Sequence, residues 1–277
     1  MSKPIVGFHH LNLSPDITGS ENDIYDFVNL KRGVDKNVTI YVDDLLPHID
    51  SRSKYNVAML VEPYPMQPNV YNWISENYDK FDMVLTHHKP LLEINEKFRY
   101  YPVWPRIKMD REYWGLPKEK SKNMSVIFSN KRQTESQTYR HEIVNKFHSH
   151  FDLFGTGYNP IDDKYIGIKP YRYQVVVENT FSGYVSEKGN DCFACGTIPI
   201  YYGDDKSNIH DYYDSDGVLI FKTLDELDYI INDVANESFY NSKKKIIEKN
   251  SKLAINNSVH EVIWEHGVKE FFIGENK

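Results

Sequence analysis

Cysteine is scarce in this 277-residue sequence: only two are present, Cys192 and Cys195, and they form a single C-x-x-C pair. One such pair supplies two of the four ligands of a structural zinc site, and the sequence has no second pair to complete it. A redox dithiol needs its first cysteine at a helix N-terminus, whereas this pair falls late in a predicted short helix of small residues. We therefore interpret both cysteines as small buried side chains.

The sequence also lacks an excess of positive charge and any long hydrophobic run. Its 33 Lys and Arg are outnumbered by 40 Asp and Glu, so the net charge is -7 and no nucleic-acid partner is expected. No stretch approaches the roughly 20 apolar residues that a membrane helix needs. Residues 1–12 lack the basic region and apolar run of a signal peptide. These absences predict a cytoplasmic protein with no transmembrane segment.

Aromatic residues are abundant, with 21 Tyr and 14 Phe, which provides ample surface for a buried core. Short apolar runs alternate with amphipathic stretches along the chain, a pattern that predicts an α/β protein with parallel sheets. The predicted strands are 5–8, 38–42, 57–61, 83–86, 98–103, 125–129, 151–154, 173–177, 198–202 and 218–221, and the predicted helices are 22–30, 70–78, 138–148, 187–195, 224–234 and 238–250.

A charged segment without hydrophobic periodicity, residues 108–123, interrupts this alternation. We place the domain boundary there, because Gly115 and Pro117 within it disfavour regular structure. The predicted domains are 1–115 and 122–258, both Rossmann-like and facing a central cleft. The remaining residues, 259–277, are predicted to form a C-terminal helix that packs back on the first domain.

The stretch 173–203 carries the densest pattern of polar residues next to a predicted buried strand. That strand delivers Glu178 and Asn179 to its carboxyl end, the edge at which open α/β sheets bind ligands. Polar residues at a strand end also serve as structural caps, and this alternative stays open.

A short helix is predicted just after this strand, and Ser186 is a suitable N-cap for it. Glu187 and Lys188 then fall in its first turn, where backbone N–H groups and an ammonium meet. Such a combination suits a diphosphate. The alternative is that Glu187 and Lys188 are a solvated surface pair.

The same stretch resembles the family 10 glycosyltransferases, the α-1,3-fucosyltransferases. Their signature runs E-N-S/T, then Y-V/I-T-E-K, a helix of small residues, and G/A-T/V-I/V-P-I/V-Y-W/Y-G. Ser186 replaces the usual Thr, and Gly189 and Asn190 replace an apolar pair. The matching residues are Glu178, Asn179, Thr180, Tyr184, Val185, Ser186, Glu187, Lys188, Thr197, Ile198, Pro199, Ile200, Tyr201, Tyr202 and Gly203.

Weaker resemblances lie upstream. Residues 125–130, followed by Arg140, are similar to the strand, the S-N pair and the arginine with which the family binds the donor diphosphate. Arg140 could otherwise be a surface helix residue. In the first half, NVAMLVEP over 56–63 resembles the family's strand that ends in its proposed general base, and Glu62 is the matching position. FDMVLT over 81–86 and Tyr-Pro at 101–102 are also similar to the family.

The resemblance implies a GT-B fold with an acceptor side in the first domain and a nucleotide-sugar site in the second. It implies a metal-independent, inverting transferase that moves fucose from GDP-fucose to a glycan hydroxyl, without a cofactor. Glu62 would be the base, and Arg140 and Lys188 would stabilise the leaving diphosphate. Glu187 would bind the ribose, and the rest of the donor site would be Glu178, Asn179, Tyr184 and Ser186.

Two other functions remain open at this point: transfer from UDP-galactose or another nucleotide sugar, and an inactive protein of the same fold that binds nucleotides or glycans. Asp214 and Asp216 form a D-x-D pattern that could hold a metal in a polar loop, although such short acidic patterns are common. The adjacent histidine pairs at 9–10 and 87–88 cannot chelate one metal from within a strand, because neighbouring side chains point to opposite faces. One member of each pair could help to hold an acceptor.

Overall fold

A computed structural model describes residues 5–9, 29–101, 107–181, 183–204, 207–256 and 264–273. The chain divides into two compact units, one formed by Met1–Val103 with Ser258–Lys277 and the other by Trp104–Asn257. This border lies before the predicted boundary, because Ile107 and Met109 pack in the hydrophobic core of the second unit. The α/β prediction is confirmed, since both units are built on parallel sheets.

The first unit contains a six-stranded sheet with the order β2-β1-β3-β4-β5-β6, in which every pair is parallel. Strand β3 is buried at all five positions of VTIYV, as expected for a parallel strand covered on both faces. Its elements are β1 (Ile5–His9), β2 (Asn29–Arg32), β3 (Val38–Val42), β4 (Tyr55–Met59), α1 (Pro68–Asn77), β5 (Met83–Thr86), α2 (Lys89–Leu92) and β6 (Phe98–Tyr100).

The second unit contains a five-stranded parallel sheet with the order β11-β10-β9-β7-β8. Buried side chains fill one core on each face, because alternate residues of β9 and β10 belong to different clusters. Its elements are β7 (Lys122–Ile127), α3 (Glu135–Phe147), β8 (Asp152–Phe154), α4 (Tyr165–Ile168), β9 (Tyr171–Val176), α5 (Glu187–Ala194), β10 (Ile198–Tyr202), α6 (Ile209–Tyr212), β11 (Leu219–Phe221), α7 (Leu224–Tyr229), α8 (Glu237–Ser242) and α9 (Lys244–Asn256).

The last described segment belongs to the first unit and consists of a π-helical turn, Trp264–Val268, and the short helix α10 (Glu270–Ile273). Phe271 stacks on Tyr55 with ring centroids 4.6 Å apart, and Glu270 pairs with Arg99 at 2.6 Å. These contacts attach the C-terminal segment to β4 and β6. No helix in the described ranges is long and apolar enough to cross a membrane.

Several predicted elements differ from the structure. Residues 29–30 of the predicted helix 22–30 belong to strand β2, which lies at the edge of the sheet. Its sequence, NLKR, lacks the apolar run by which the other strands were predicted. Residues 22–28 lie outside the described residues. The predicted helix 238–250 is two helices, α8 and α9, which meet at Lys243.

Both sheets have a topological switch point, where the strand order reverses between the first and third strand of the unit. In the first unit it lies between β1 and β3, and in the second between β7 and β9. Open α/β sheets bind ligands beyond the carboxyl ends of the strands at such points. Among the candidate residues, Glu62 follows β4, Glu178 and Asn179 follow β9, and Arg140 lies on α3, which follows β7.

Candidate functional site

Glu178 lies just beyond β9 and is the centre of the polar cluster in the second unit. It is only 1% exposed, yet its carboxylate is fully engaged. Oε1 accepts the Ser186 backbone N–H at 2.8 Å, and Oε2 accepts the Ser186 hydroxyl at 2.6 Å and the Lys188 ammonium at 3.0 Å. These bonds join the end of β9 to the start of α5 and compensate the burial of the charge.

The first turn of α5 has the predicted cap. The Ser186 hydroxyl accepts the Lys188 backbone N–H, and Ser186 has extended backbone geometry, as an N-cap requires. Lys188 is not the solvated residue that the surface alternative required, since its side chain is 25% exposed. Its ammonium donates to Glu178 and to the Ser186 hydroxyl at 2.8 Å. An ammonium has three N–H groups, so one has no partner among the described residues.

Arg140 is buried rather than on a helix surface, with an exposed fraction of 4%. Its Nε and Nη2 donate to the Val177 carbonyl at 3.2 and 2.6 Å, and Nη2 also donates to Asn179 Oδ1 at 3.1 Å. These bonds use three of the five guanidinium N–H groups, and both N–H groups of Nη1 have no partner within the described part of the chain. Burial lowers the pKa of Arg140, while the charges of Glu178 and Glu187 act to raise it.

Glu187, in the first turn of α5, takes part in a second ionic group. Lys164 donates to the Glu187 carboxylate at 3.2 Å and to that of the fully buried Asp191 at 2.7 Å. Burial acts to raise the pKa of Glu187, but the ammonium groups of Lys188, Lys164 and Lys108 outweigh it and hold that pKa well below its usual value. Glu187 is therefore an anion at neutral pH and not part of a solvated pair.

The remaining predicted donor residues surround this cluster. Asn179 is held in place because its Oδ1 accepts from Arg140 and, at 3.4 Å, from Gln137. Tyr184 is buried, and its carbonyl accepts the Tyr201 hydroxyl at 3.1 Å. The structure therefore brings together all seven residues predicted for the donor site, whereas Glu62 belongs to the other unit.

Glu62 follows β4 in the first unit, and its backbone is held from two sides. Asp43 accepts the backbone N–H groups of Val61 at 2.8 Å and of Glu62 at 3.2 Å. Tyr71 donates its hydroxyl to the Glu62 carbonyl at 2.7 Å. Both backbone groups of Glu62 are therefore held by buried side chains. Because the backbone is fixed, only rotation of the Glu62 side chain can change the position of its carboxylate.

Asp43 has an unusual conformation at the carboxyl end of β3. Its φ of +47° makes it the one non-glycine residue in the described ranges with positive φ. This left-handed geometry costs roughly 1–2 kcal/mol in a residue with a Cβ atom. Burial raises the pKa of Asp43 to about 7, with smaller contributions from the charges of Glu62 and Asp44, against which the two backbone hydrogen bonds act. A strained, buried carboxyl group beside a ligand-binding edge is typical of a functional site.

The histidines after β5 have different surroundings. His87 is buried, and its Nε2 lies 3.3 Å from the Tyr71 hydroxyl. Burial lowers the pKa of His87 to about 3, so its ring is neutral. His88 is half-buried and lies parallel to the Tyr64 ring. Of the other pair, His10 and the side chain of His9 lie outside the described residues.

The cysteine interpretation is confirmed, since Cys192 and Cys195 are free thiols and fully buried. Burial raises the pKa of Cys192 well above its usual value and that of Cys195 to about 11. In the D-x-D loop, one Asp214 oxygen accepts the Asp216 backbone N–H at 3.2 Å and the other accepts Lys249 at 2.8 Å. That carboxylate caps a turn and pairs with a lysine.

Sequence reasoning missed Asp43, Tyr71, Lys164 and Asp191. Asp43 follows the buried strand VTIYV as Glu62 follows its own strand, so the same rule could have found it. The other three give no local signal, because their partners are distant in sequence: Lys164 lies 27 residues from Asp191 and Tyr71 lies 16 from His87.

Neither a protein-family model nor a curated protein matches this sequence. Among solved structures, the chain is similar to an α1,3-fucosyltransferase, with a TM-score of 0.51, 12% identity, and coverage of 98% of this chain and 90% of that one. It is similar to T4 phage BGT in complex with UDP and Mn²⁺, with a TM-score of 0.51, 10% identity, and coverage of 97% and 99%.

A third similar structure is a variant of TarM from S. aureus in complex with fondaparinux, α-GlcNAc-glycerol and UDP. The TM-score is 0.56 at 14% identity, and the match covers 84% of this chain but only 55% of TarM. The chain has the GT-B fold. At these identities the similarity concerns the fold, so the resemblance to family 10 stays a prediction that rests on the signature between Glu178 and Gly203.

Proposed function

We propose that this protein is a glycosyltransferase that moves a sugar from a nucleotide sugar to a hydroxyl group of a glycan. The observation that carries the proposal is the pair of fixed cations, Arg140 and Lys188, at the switch point of the second sheet. Both retain N–H groups without partners among the described residues. Lys188 belongs to the first turn of α5, and the Arg140 guanidinium interacts with the charge of Glu187 in the same turn. The backbone N–H groups of a first helical turn favour anions. A diphosphate is the ligand that best matches two such cations and a helix N-terminus.

The proposed reaction is a single displacement. Glu62 takes the proton of the acceptor hydroxyl, and the acceptor oxygen forms a bond to the anomeric carbon of the donor. The bond from that carbon to the diphosphate oxygen breaks, and its electron pair leaves with the nucleoside diphosphate. Arg140 and Lys188 stabilise the negative charge that develops there. One displacement inverts the configuration at the anomeric carbon.

We propose GDP-fucose as the donor, because the signature from Glu178 to Lys188 is similar to that of the fucosyltransferases. A uridine nucleotide sugar, such as UDP-galactose, is the second candidate. It is favoured by the UDP named in the complexes of TarM and T4 phage BGT. We also propose that no divalent metal is needed, since the two side-chain cations can neutralise the leaving diphosphate.

Calorimetric titration with GDP and with UDP, each with excess EDTA, tests the proposal. We expect GDP to bind in EDTA. Lys146→Ala is the matched control, because Lys146 is an exposed cation of α3, the helix that carries Arg140. This control should bind GDP as the natural chain does.

Each other outcome has a definite meaning. Binding of UDP in place of GDP would select the second donor. Binding that requires Mn²⁺ would refute metal independence and redirect attention to Asp214 and Asp216. If neither nucleotide binds with or without metal, the chain is not a nucleotide-sugar transferase.

A further inference from the structure

Three aromatic rings form a compact cluster beside Glu62, which we call the Tyr64 platform: Tyr64, Tyr71 and His88. The Tyr64 ring and the His88 imidazole are parallel within 8°, with centroids 5.3 Å apart. Tyr71 meets both rings edge-on, at 5.5 and 5.1 Å. Tyr71 is buried, whereas Tyr64 is 40% exposed. The buried ring therefore supports an aromatic pair that reaches the surface.

The platform is tied to the proposed base through hydrogen bonds and chain connectivity. The Tyr71 hydroxyl donates to the Glu62 carbonyl at 2.7 Å and lies 3.3 Å from His87 Nε2. Tyr64 follows Glu62 by two residues, and only the buried Pro63 lies between them. A molecule that rests on Tyr64 therefore lies beside the Glu62 backbone, whose N–H and C=O groups are both fixed.

The chemistry of this surface suits an uncharged sugar ring. A pyranose has a C–H face that packs on an aromatic ring, and its hydroxyl groups remain free at the edge. Burial lowers the pKa of His88, so the second ring of the pair is neutral at physiological pH. Three carboxyl groups lie near the platform, since the negative charges of Glu62 and Asp44 both act to raise the pKa of the neighbouring Asp43. This acidic surrounding disfavours an anionic sugar.

We propose that the Tyr64 platform is the acceptor-binding surface and that it takes a neutral pyranose, with a C–H face on Tyr64 and a hydroxyl directed to Glu62. The inference rests on the proposed transferase function, which it deepens by naming the class of acceptor. It concerns the first unit alone, whereas the nucleotide-binding test concerns the second.

Saturation-transfer NMR with simple glycosides tests this without any need for turnover. The probes are methyl β-galactopyranoside and methyl β-N-acetylglucosaminide as neutral sugars, and methyl β-glucuronide as an acidic one. We expect a signal from at least one neutral glycoside and none from the glucuronide. Tyr64→Ala should weaken neutral binding by about tenfold, which corresponds to ~1.4 kcal/mol. Tyr64→Phe should retain binding, because stacking does not need the hydroxyl.

Tyr229→Ala is the matched control, since Tyr229 is a 60% exposed tyrosine on α7 of the other unit. This variant should bind the neutral glycosides as the natural chain does. Unchanged binding in folded Tyr64→Ala, equal loss in Tyr64→Phe, binding of the glucuronide, or no glycoside signal at all would each overturn the inference. GDP and UDP titrations on the same samples separate the two proposals. If a nucleotide binds while the glycoside results fail, only the acceptor assignment falls.

Discussion

Removing the Lys188 ammonium is expected to weaken both folding and diphosphate binding, and a second substitution separates the two effects. Lys188 is the cation bonded to the almost fully buried Glu178 carboxylate, at 3.0 Å. In Lys188→Met the Glu178 carboxylate keeps the backbone and hydroxyl donors of Ser186 but loses its charged partner. The double variant Lys188→Met/Glu178→Gln also removes the unpaired negative charge of Glu178. The glutamine side chain at that position is neutral and can still form hydrogen bonds with Ser186.

The size of the stability effect follows from the burial of the pair. Breaking a buried ion pair by removing one partner costs about 3–5 kcal/mol. Lys188 is one-quarter exposed, and two donors remain on Glu178, so we expect a value near the lower end, about 3 kcal/mol. For a unit of this size that lowers Tm by roughly 10 °C. The double variant should recover most of this loss.

The binding effect should not recover. A hydrogen bond to a charged group contributes about 1.5–3 kcal/mol, so both variants should bind the nucleoside diphosphate about 10- to 100-fold more weakly. Urea unfolding and calorimetric titration on the same samples measure the two quantities. Wild-type affinity in the double variant would remove Lys188 from the phosphate site. If the double variant is as unstable as Lys188→Met, the unpaired charge of Glu178 is not the cause of the lost stability.

Three further predictions concern buried groups. Native Cys192 and Cys195 should resist thiol reagents and react only in denaturant; rapid labelling of the folded protein would contradict their burial. Burial keeps the His87 ring neutral in the folded chain, whereas in the unfolded chain the ring takes up a proton below about pH 6.5. The free energy of unfolding should therefore decrease as the pH falls from 7 to 5, and urea titrations should show a smaller decrease in His87→Gln. For Asp43, burial raises the pKa to about 7, so the folded chain holds the extra proton between about pH 4 and 7, and its contribution to stability falls as the pH rises; Asp43→Asn should flatten that slope, and an unchanged slope would contradict the raised pKa.

Much of the fold could be predicted from the sequence because the buried strands are short runs of apolar residues. VTIYV at 38–42 and IPIYY at 198–202 were predicted with the bounds that the structure has. The polar edge strand β2 could not be predicted, because its pairing with β1 depends on neighbours in the sheet and not on its own pattern. The same applies to Ile107 and Met109, whose apolar side chains join a core formed by distant segments.

The candidate site was predictable where polar residues directly follow a buried strand. This rule predicts Glu178, and Asp43 obeys it too, whereas Glu62 was predicted from the resemblance of its strand to family 10. The contacts between distant residues could not be predicted. The sequence pattern of α3 was compatible with Arg140 on the helix surface, whereas in the structure its guanidinium is buried against the Val177 carbonyl. Such contacts depend on how α3 packs on β9, which the sequence pattern of either element does not specify.

Turnover of Glu62→Gln tests most directly the proposal that Glu62 is the base of a sugar transfer. Release of nucleoside diphosphate from GDP-fucose and from UDP-galactose is measured with neutral glycoside acceptors, alongside Tm and nucleotide affinity. Glu93→Gln, an exposed glutamate of the same unit, is the control. We expect Glu62→Gln to keep its fold and nucleotide affinity but to lose about 10²- to 10⁴-fold in turnover. Wild-type turnover per folded molecule of Glu62→Gln would contradict the account.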